Sequence, residues 1–512
     1  MMVRFSRLTR SSSNLRVHAA LLASVAAFGV LLDSLPSAVV EVCLGVGVVG
    51  LLYHAFLSAV ERAGGRPWPL SSLPDWLLFA LPTAGIVGLY LRSHPVSPLR
   101  AGLFGALLVV FFYFWYVLPA AWYHKVRSDR EGDPDPPESS LTVLVPAYNE
   151  EACLGRTLDS LTEASYPGQK EILVVDDGST DATYETALAH ATDEVTVLRK
   201  PNGGKATALN YGLEWATGDA VVTVDADSVV VPDALERIVA DLEAHSNVGA
   251  VGGTVRLLHT DSSVEKLQAL EYAVGLNTFR RAFAALGNVN VVPGCLGCFR
   301  REALESVGGY DGDTLTEDYD LTLKLLTAGW EVRASEAVSY TEAPSTWRDL
   351  YRQRVRWTRG NVESLRKHAG VLGGGSAAAG TAFSGIVFPF QVVSLVVLPV
   401  LTAAVLGTVG AQLAMGHVEL VVTTLSLFVL LQTVATGFAL ALDETDPRLL
   451  AYAPVAVPYQ YFMNAITLKS ILDVAVGTDR EWTHISRRSP GGDAADAAVD
   501  AGPTLEAEVS DD

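Results

Sequence analysis

Two apolar runs of the chain end in paired acids. VVDDGS carries Asp176 and Asp177, and VVTVDADS carries Asp225 and Asp227. Carboxylates held close together repel one another unless a cation sits among them. Asp225 and Asp227 stand two apart, so on a continuing strand both would face one side. A hard divalent ion suits such a pair and accepts phosphate oxygens as its remaining ligands. A diphosphate bridged by that ion is a good leaving group, because the metal neutralises the charge that develops on it. A lone D-x-D is more often a solvated turn. Here it follows VVTV and is matched by the earlier VVDDGS, which favours a site.

The elements that must bring these acids together can be read along 141–257. LTVLVPAYNE (141–150) is a short apolar run followed by a turn. Leu154, Leu158 and Leu161 then recur at helical spacing. EILVVDDGSTD (171–181), VTVLRK (195–200), DAVVTVDADS (219–228) and VGAVGGTVRL (248–257) read as further strands, with helices over about 181–191 and after Gly203 and Gly204. Strands alternating with helices imply a mostly parallel sheet covered on both faces. Ligands of such sheets gather at the carboxyl ends of the strands, which is where both acidic pairs fall.

The chain has 512 residues, 49% of them hydrophobic, and a formal net charge of -20. Apolar blocks joined to an acidic polar domain account for both values. The acidity argues against a nucleic-acid partner, since phosphate binding needs a basic surface. Cys295 and Cys298 form a lone C-x-x-C. A structural zinc site needs about four ligands and no second pair stands nearby, so these are expected to be packing thiols in a reducing compartment.

A membrane-spanning helix needs about 20 apolar residues. Blocks at 17–34, 38–60, 74–92 and 100–123 precede the polar region, and blocks at 381–408, 418–442 and 449–475 follow it. The last contains Pro454, Pro458, Tyr459, Gln460 and Asn464 and is the weakest span. Arg4, Arg7, Arg10 and Arg16 place the N-terminus in the cytoplasm. Four crossings return the chain there, beside Lys125, Arg127 and Arg130, although Arg92 and Arg100 then fall outside. Three later crossings would put the C-terminus outside, whereas the basic run Arg480–Arg488 argues for inside. Either 449–475 does not simply cross or another block is a hairpin. The expected organisation is an N-terminal membrane region of about four helices (1–124), a polar catalytic domain (125–370), a C-terminal membrane region of about three helices (371–478) and an acidic disordered tail (479–512).

VPAYNE, VVDDGSTD, GGKATALN, VDADS, TED and QRVRW, in this order, resemble the family-2 inverting glycosyltransferases. Processive β-glycan synthases of the cellulose, chitin, hyaluronan and poly-N-acetylglucosamine type look most similar. The resemblance covers about 138–370 and the flanking membrane layout. It implies a GT-A-like α/β catalytic domain with a mostly parallel sheet, inserted between two bundles of transmembrane helices. It also implies the roles of individual residues. Pro146, Tyr148 and Glu150 match the nucleotide-side loop. Asp176 and Asp177, one or both, match the group that holds uracil or ribose, and Lys205 lies near the nucleotide or its phosphates. Asp225 and Asp227 match the metal and diphosphate pair. Asp318, in the Thr316–Glu317–Asp318 motif, matches the general base. Glu317, Gln353, Arg356 and Trp357 fall on the acceptor and diphosphate side. PGCLGCFRREAL (293–304) resembles the acceptor-side segment.

The chemistry of these residue types agrees with inversion. Asp318 can take the proton of an acceptor hydroxyl, Arg356 can fork onto phosphate oxygens, and Trp357 offers a flat face to a sugar ring. Plainer readings exist: TEDYD as a helix start whose acids only meet the dipole, and QRVRW as an interfacial basic-aromatic helix. The resemblance implies transfer of a hexose or N-acetylhexosamine from a UDP-sugar to a growing polysaccharide, processive and coupled to export. It implies a divalent cation (Mg or Mn), a glycan or glycolipid acceptor and contact with membrane lipid, and leaves room for a partner subunit. The enzyme is expected to be a multi-pass protein of the cell membrane with its catalytic domain cytoplasmic. One alternative adds a single sugar to a lipid or lipid-linked acceptor. A second is a non-catalytic transporter or scaffold with a relic sugar-nucleotide domain.

Overall fold

The structure is a computed structural model that describes residue 113 and residues 117–131, 135–284, 287–373, 379–380 and 382–478. The first three apolar blocks, most of the fourth and the acidic tail lie outside the described residues.

The polar region folds around an eight-stranded sheet in the order β3-β2-β1-β4-β7-β6-β8-β5. Its strands are β1 (Leu141–Ala147), β2 (Lys170–Asp176), β3 (Val195–Arg199), β4 (Ala220–Thr223), β5 (Ser228–Val230), β6 (Val248–Leu257), β7 (Gly297–Arg300) and β8 (Glu331–Thr341). The block β3-β2-β1-β4 is parallel throughout. β7 runs against both β4 and β6, β8 is parallel to β6, and β5 is antiparallel to β8. The mostly parallel sheet expected from the alternating pattern is therefore present, with two reversed strands that the pattern does not announce.

Both faces are covered. Val143 and Val145 point into one core with Leu154, Leu158 and Leu161 of α1 (Leu154–Glu163) and Ile238 of α2 (Ala234–Glu243). Leu144 points into the other core with Leu209 of α3 (Lys205–Trp215), Leu304 of α4 (Arg301–Val307) and Leu325 of α5 (Glu317–Thr327). Alternate residues of β1 thus serve opposite layers.

The loops after β1 and β2 are locked to each other. Asn149 adopts a left-handed φ of 55°. Its Oδ1 accepts from the Thr180 amide at 2.8 Å, and its own amide donates to Ser179 Oγ at 3.0 Å. Gly178 has φ +74°, and a Cβ there would stand 2.8 Å from the Asn202 amide nitrogen. Only glycine meets both demands at low cost.

Three long helices follow where three apolar blocks were expected: α7 (Phe383–Ala414), α8 (Val418–Leu442) and α9 (Ala453–Val476), after the amphipathic α6 (Trp347–Lys367). Among the described residues, α7 is long and apolar enough to cross a membrane. The polar region grips this helical part at buried ion pairs. Arg281 forks onto Glu336 at 2.8 and 2.7 Å and reaches Asp443, at the end of α8, at 2.8 Å. Asn277 also donates to Asp443, at 3.0 Å. Arg354 of α6 pairs with Glu271 at 2.9 Å, and the same carboxylate accepts from Tyr459 of α9.

Gly178→Ala should lower stability by about 1–3 kcal/mol, read as a fall in the unfolding midpoint, because the new methyl meets backbone atoms that cannot move aside.

Candidate active site

The site lies where β1, β4 and α3 approach the start of α5. Lys205 is the first residue of α3, and its Nζ is 2.6 Å from Asp225 Oδ1 and 3.0 Å from Glu317 Oε1. Burial alone would lower the Lys205 ammonium. The Asp225 and Glu317 carboxylates outweigh it and hold the group well above the usual lysine range. Asp318 lines the same pocket as Pro146, Lys205, Thr223, Gly294 and Glu317. Burial, and then the neighbouring Glu317 charge, push the Asp318 carboxyl up to about 6, against the pull of Lys205. A carboxylate tuned toward neutrality is suited to receiving a proton.

Asp225 and Asp227 do not sit on a continuing strand, as their spacing suggested. β4 ends at Thr223, and both acids occupy the turn into β5, closed by the Ser228 amide donating to Asp225 O at 3.0 Å. The turn is forced because β5 must reverse to pair antiparallel with β8. The two acids still share one neighbourhood, since both charges act on the Cys295 thiol. Asp227 is 8% exposed and accepts from Ser228 Oγ at 3.3 Å and Thr341 Oγ1 at 3.4 Å. Gly294 faces Asp225. A Cβ there would stand 2.8 Å from Lys205 Nζ and 3.4 Å from both Asp225 oxygens. The missing side chain leaves room for Lys205 to reach that carboxylate. Gly294 belongs to none of the motif residues, and its signal in the sequence is its place directly before Cys295 in PGCLGCFRREAL.

The other acidic pair is internally committed. Asp176 is fully buried, 3.0 Å from Arg199 Nε, and accepts from the Ser179 amide at 3.1 Å. Asp177 accepts from Lys200 and from the Gly203 and Gly204 amides, the latter at 2.7 Å. It pins the loop that delivers Lys205. Tyr148 is partly buried beside this loop pair. The Glu150 amide donates to Thr183 Oγ1 at 2.7 Å, and its carboxylate receives the Cys153 thiol at 3.1 Å. Asn210, in GGKATALN, clamps the backbone of Tyr310 at 2.8 and 2.9 Å, a link between two motif segments that spacing alone could not reveal.

Gln353, Arg356 and Trp357 all lie on α6. Gln353 is 8% exposed and accepts from Arg354 at 2.6 Å. Arg354, outside the matched motif residues, stacks over Trp357 at 4.2 Å. Arg356 is partly buried. Trp357 packs in one apolar cluster with Cys295, which ties this helix to the acid site. Burial first, then the Asp225 and Asp227 charges, raise the Cys295 thiol far out of the nucleophilic range. Burial likewise raises Cys298. Cys298 packs in a different cluster from Cys295, so the C-x-x-C is a pair of packing thiols, as expected.

Comparison with known proteins accords with this geometry. Residues 142–308 match the Glycosyl transferase family 2 model. They form a family-2 glycosyltransferase domain. The chain is 34% identical over 230 residues to a poly-β-1,6-N-acetyl-D-glucosamine synthase of Staphylococcus epidermidis, covering 44% of this chain and 55% of that protein. It is 31% identical over 265 residues to the enzyme of the same name from Staphylococcus aureus, covering 50% of this chain and 64% of that protein. The chain thus spans little more than half the length of these relatives. A mannosyltransferase from Pyrobaculum calidifontis, solved with GDP-Man and Mn2+, is similar in fold, with a TM-score of 0.54 and 22% identity, covering 74% of this chain and all of that one.

Activity should fall as pH drops through about 6, where Asp318 takes up a proton. The linkage to stability has the opposite sense. A carboxyl raised above its unfolded value favours folding below that value and loses the benefit as pH rises through about 6. Asp318→Asn should therefore unfold at or above the wild-type temperature at neutral pH.

Proposed function

We propose that the chain is a membrane-bound inverting glycosyltransferase that transfers N-acetylglucosamine from its UDP derivative to a growing β-linked glycan. The observation that carries this reading is the placement of Asp318, buried and with its carboxyl raised to about 6, in one pocket with Lys205, which bonds to Asp225. A proton acceptor and a charge-handling group lie in a single cleft, which is what displacement at an anomeric carbon requires. The names of the bacterial relatives support the sugar and the polymeric product.

In this reading Asp318 accepts the proton of the acceptor hydroxyl. The hydroxyl oxygen then forms its bond to the anomeric carbon as the bond to the diphosphate breaks, and the centre inverts. UDP leaves on the Lys205 side, where the ammonium offsets its charge. Asp177, Pro146, Tyr148 and Glu150 shape the nucleotide side. Gln353, Arg356 and Trp357 serve the acceptor and diphosphate side.

Asp225 and Asp227 carry the oxygen donors that a hard divalent cation takes, and the bare Gly294 keeps a side chain off Asp225, whose Oδ1 bonds to Lys205. Such an ion, Mg or Mn, would supply further neutralisation of the diphosphate. The exposed apolar surface of α7, with Val397 48% and Val400 55% exposed, supports burial in lipid. The domain organisation, the cytoplasmic placement of the catalytic domain and the coupling of synthesis to export belong to the same proposal.

Asp318→Asn should abolish transfer while UDP binding persists, and Asp227→Ala should weaken metal-dependent UDP binding. Turnover of Asp318→Asn near the wild-type rate would end the base assignment. Membranes given radiolabelled UDP-N-acetylglucosamine should yield a ladder or polymer. A product carrying one added sugar would instead favour the single-addition alternative.

A further inference from the structure

The first turn of α5 carries acids on two sides. Glu317 and Asp318 meet the pocket, whereas Asp320 lies two residues on, about 200° around the helix. Asp320 is fully buried and points at the end of α6. Its Oδ1 is 2.9 Å from His368 Nε2 and its Oδ2 is 2.8 Å from Lys367 Nζ. Lys367 also binds Asp311 at 2.7 Å and Asp313 at 2.8 Å. These three acids lie close enough to ligate a metal, but the Lys367 ammonium already bonds to all of them. The cluster is an anchor between α5 and α6.

A second contact joins the same two helices. Gly360 of α6 lies against Thr316, the residue that precedes α5. A Cβ at Gly360 would stand 2.6 Å from Thr316 Oγ1, 2.7 Å from its amide nitrogen and 2.8 Å from Cγ2. Thr316 Oγ1 is buried without a hydrogen-bond partner. This contact is therefore one of shape, and its closeness depends on the absent side chain. α6 is also braced by Arg354 on Glu271 and, directly beside Gly360, by Arg359, which bonds to Thr478 beyond the end of α9. The helix is held on one side by the helical region and on the other holds the turn that bears Asp318.

We propose that Gly360 and the Asp320–Lys367–His368 anchor are positioning elements that set where Asp318 stands in the pocket. They touch neither the donor nor the reacting atoms. The inference rests on Asp318 being the base. A base displaced by about 1 Å can lose about a hundredfold in rate. The nucleotide side rests on β1, β2 and α3 and meets this turn through the Lys205–Glu317 pair, a flexible side-chain link that should pass on little of such a shift. The signature is thus a fall in kcat with donor affinity retained.

The test uses the full chain in detergent, with UDP release from UDP-N-acetylglucosamine as the rate and UDP displacement as the binding readout. Gly360→Ala should lower kcat by at least about tenfold and Lys367→Met by about fivefold, with donor affinity within about threefold of wild type. Lys367→Arg should recover most of the loss, because a guanidinium can hold the same acids. Lys367 is partly exposed, so its variants decide the matter if Gly360→Ala does not fold. Asp318→Asn is measured alongside. If it is inactive while Gly360→Ala and Lys367→Met turn over like wild type, the positioning role is overturned. Parallel loss of kcat, donor affinity and unfolding temperature overturns it as well, in favour of a purely structural role. If Asp318→Asn itself stays active, it is the base assignment that fails.

Discussion

Three carboxylates crowd one ammonium at the mouth of this sheet, and much of the molecule is arranged to keep them there. Lys205 bonds directly to Asp225 and Glu317, and its charge also acts on Asp318. Without that cation the acids would repel one another in a partly desolvated space. Its pull on Asp318 opposes burial and the Glu317 charge, and the carboxyl is left at about 6, where it can exchange a proton. The position of Lys205 is in turn set by Asp177, which takes the Gly203 and Gly204 amides and so fixes the start of α3. A residue expected to touch the nucleotide thus also builds the loop that carries the site's cation.

The same economy appears on the opposite wall. α6 brings Gln353, Arg354 and Trp357 toward the site and, further along, receives Thr316 against Gly360 and Asp320 on Lys367 and His368. Arg354 is shared between Glu271 and the Trp357 ring, and Glu271 also accepts from Tyr459 of α9. A displacement of the long apolar helices would therefore reach Gln353 and Trp357 through α6. Buried ion pairs such as Arg281 with Glu336 and Asp443 are costly to break once formed, which keeps the two regions in register.

Much of the fold was legible in advance. The runs 141–147, 171–176, 195–199 and 220–223 are rich in Val, Ile, Leu and Thr, and each becomes a strand of the parallel block. Three of the apolar blocks emerge as helices at the expected places. The motif order pointed to the family, and the family comparison agrees over 142–308. What escaped the reading is non-local. β8 is half polar on its outer side, and β7 is short and reversed, so neither shows a strong period. The D-x-D reads as part of a strand because spacing cannot tell a continuing strand from one that must turn to meet a partner arriving more than a hundred residues later.

The sequence by itself determined the chemistry available: carboxylates after apolar strands, a lysine after a Gly-Gly turn, and a helix with Gln, Arg and Trp on it. Residue type and local period are properties of short windows, so these features survive without a fold. Only the tertiary structure decided which acids stay open and which are consumed. Asp176 and Asp320 are wholly buried in structural pairs, while Asp225 stands beside a bare glycine and Asp318 lines the pocket. That division depends on which partners arrive from distant segments. Burial and ion pairing are set by three-dimensional neighbours, and these lie beyond any local window.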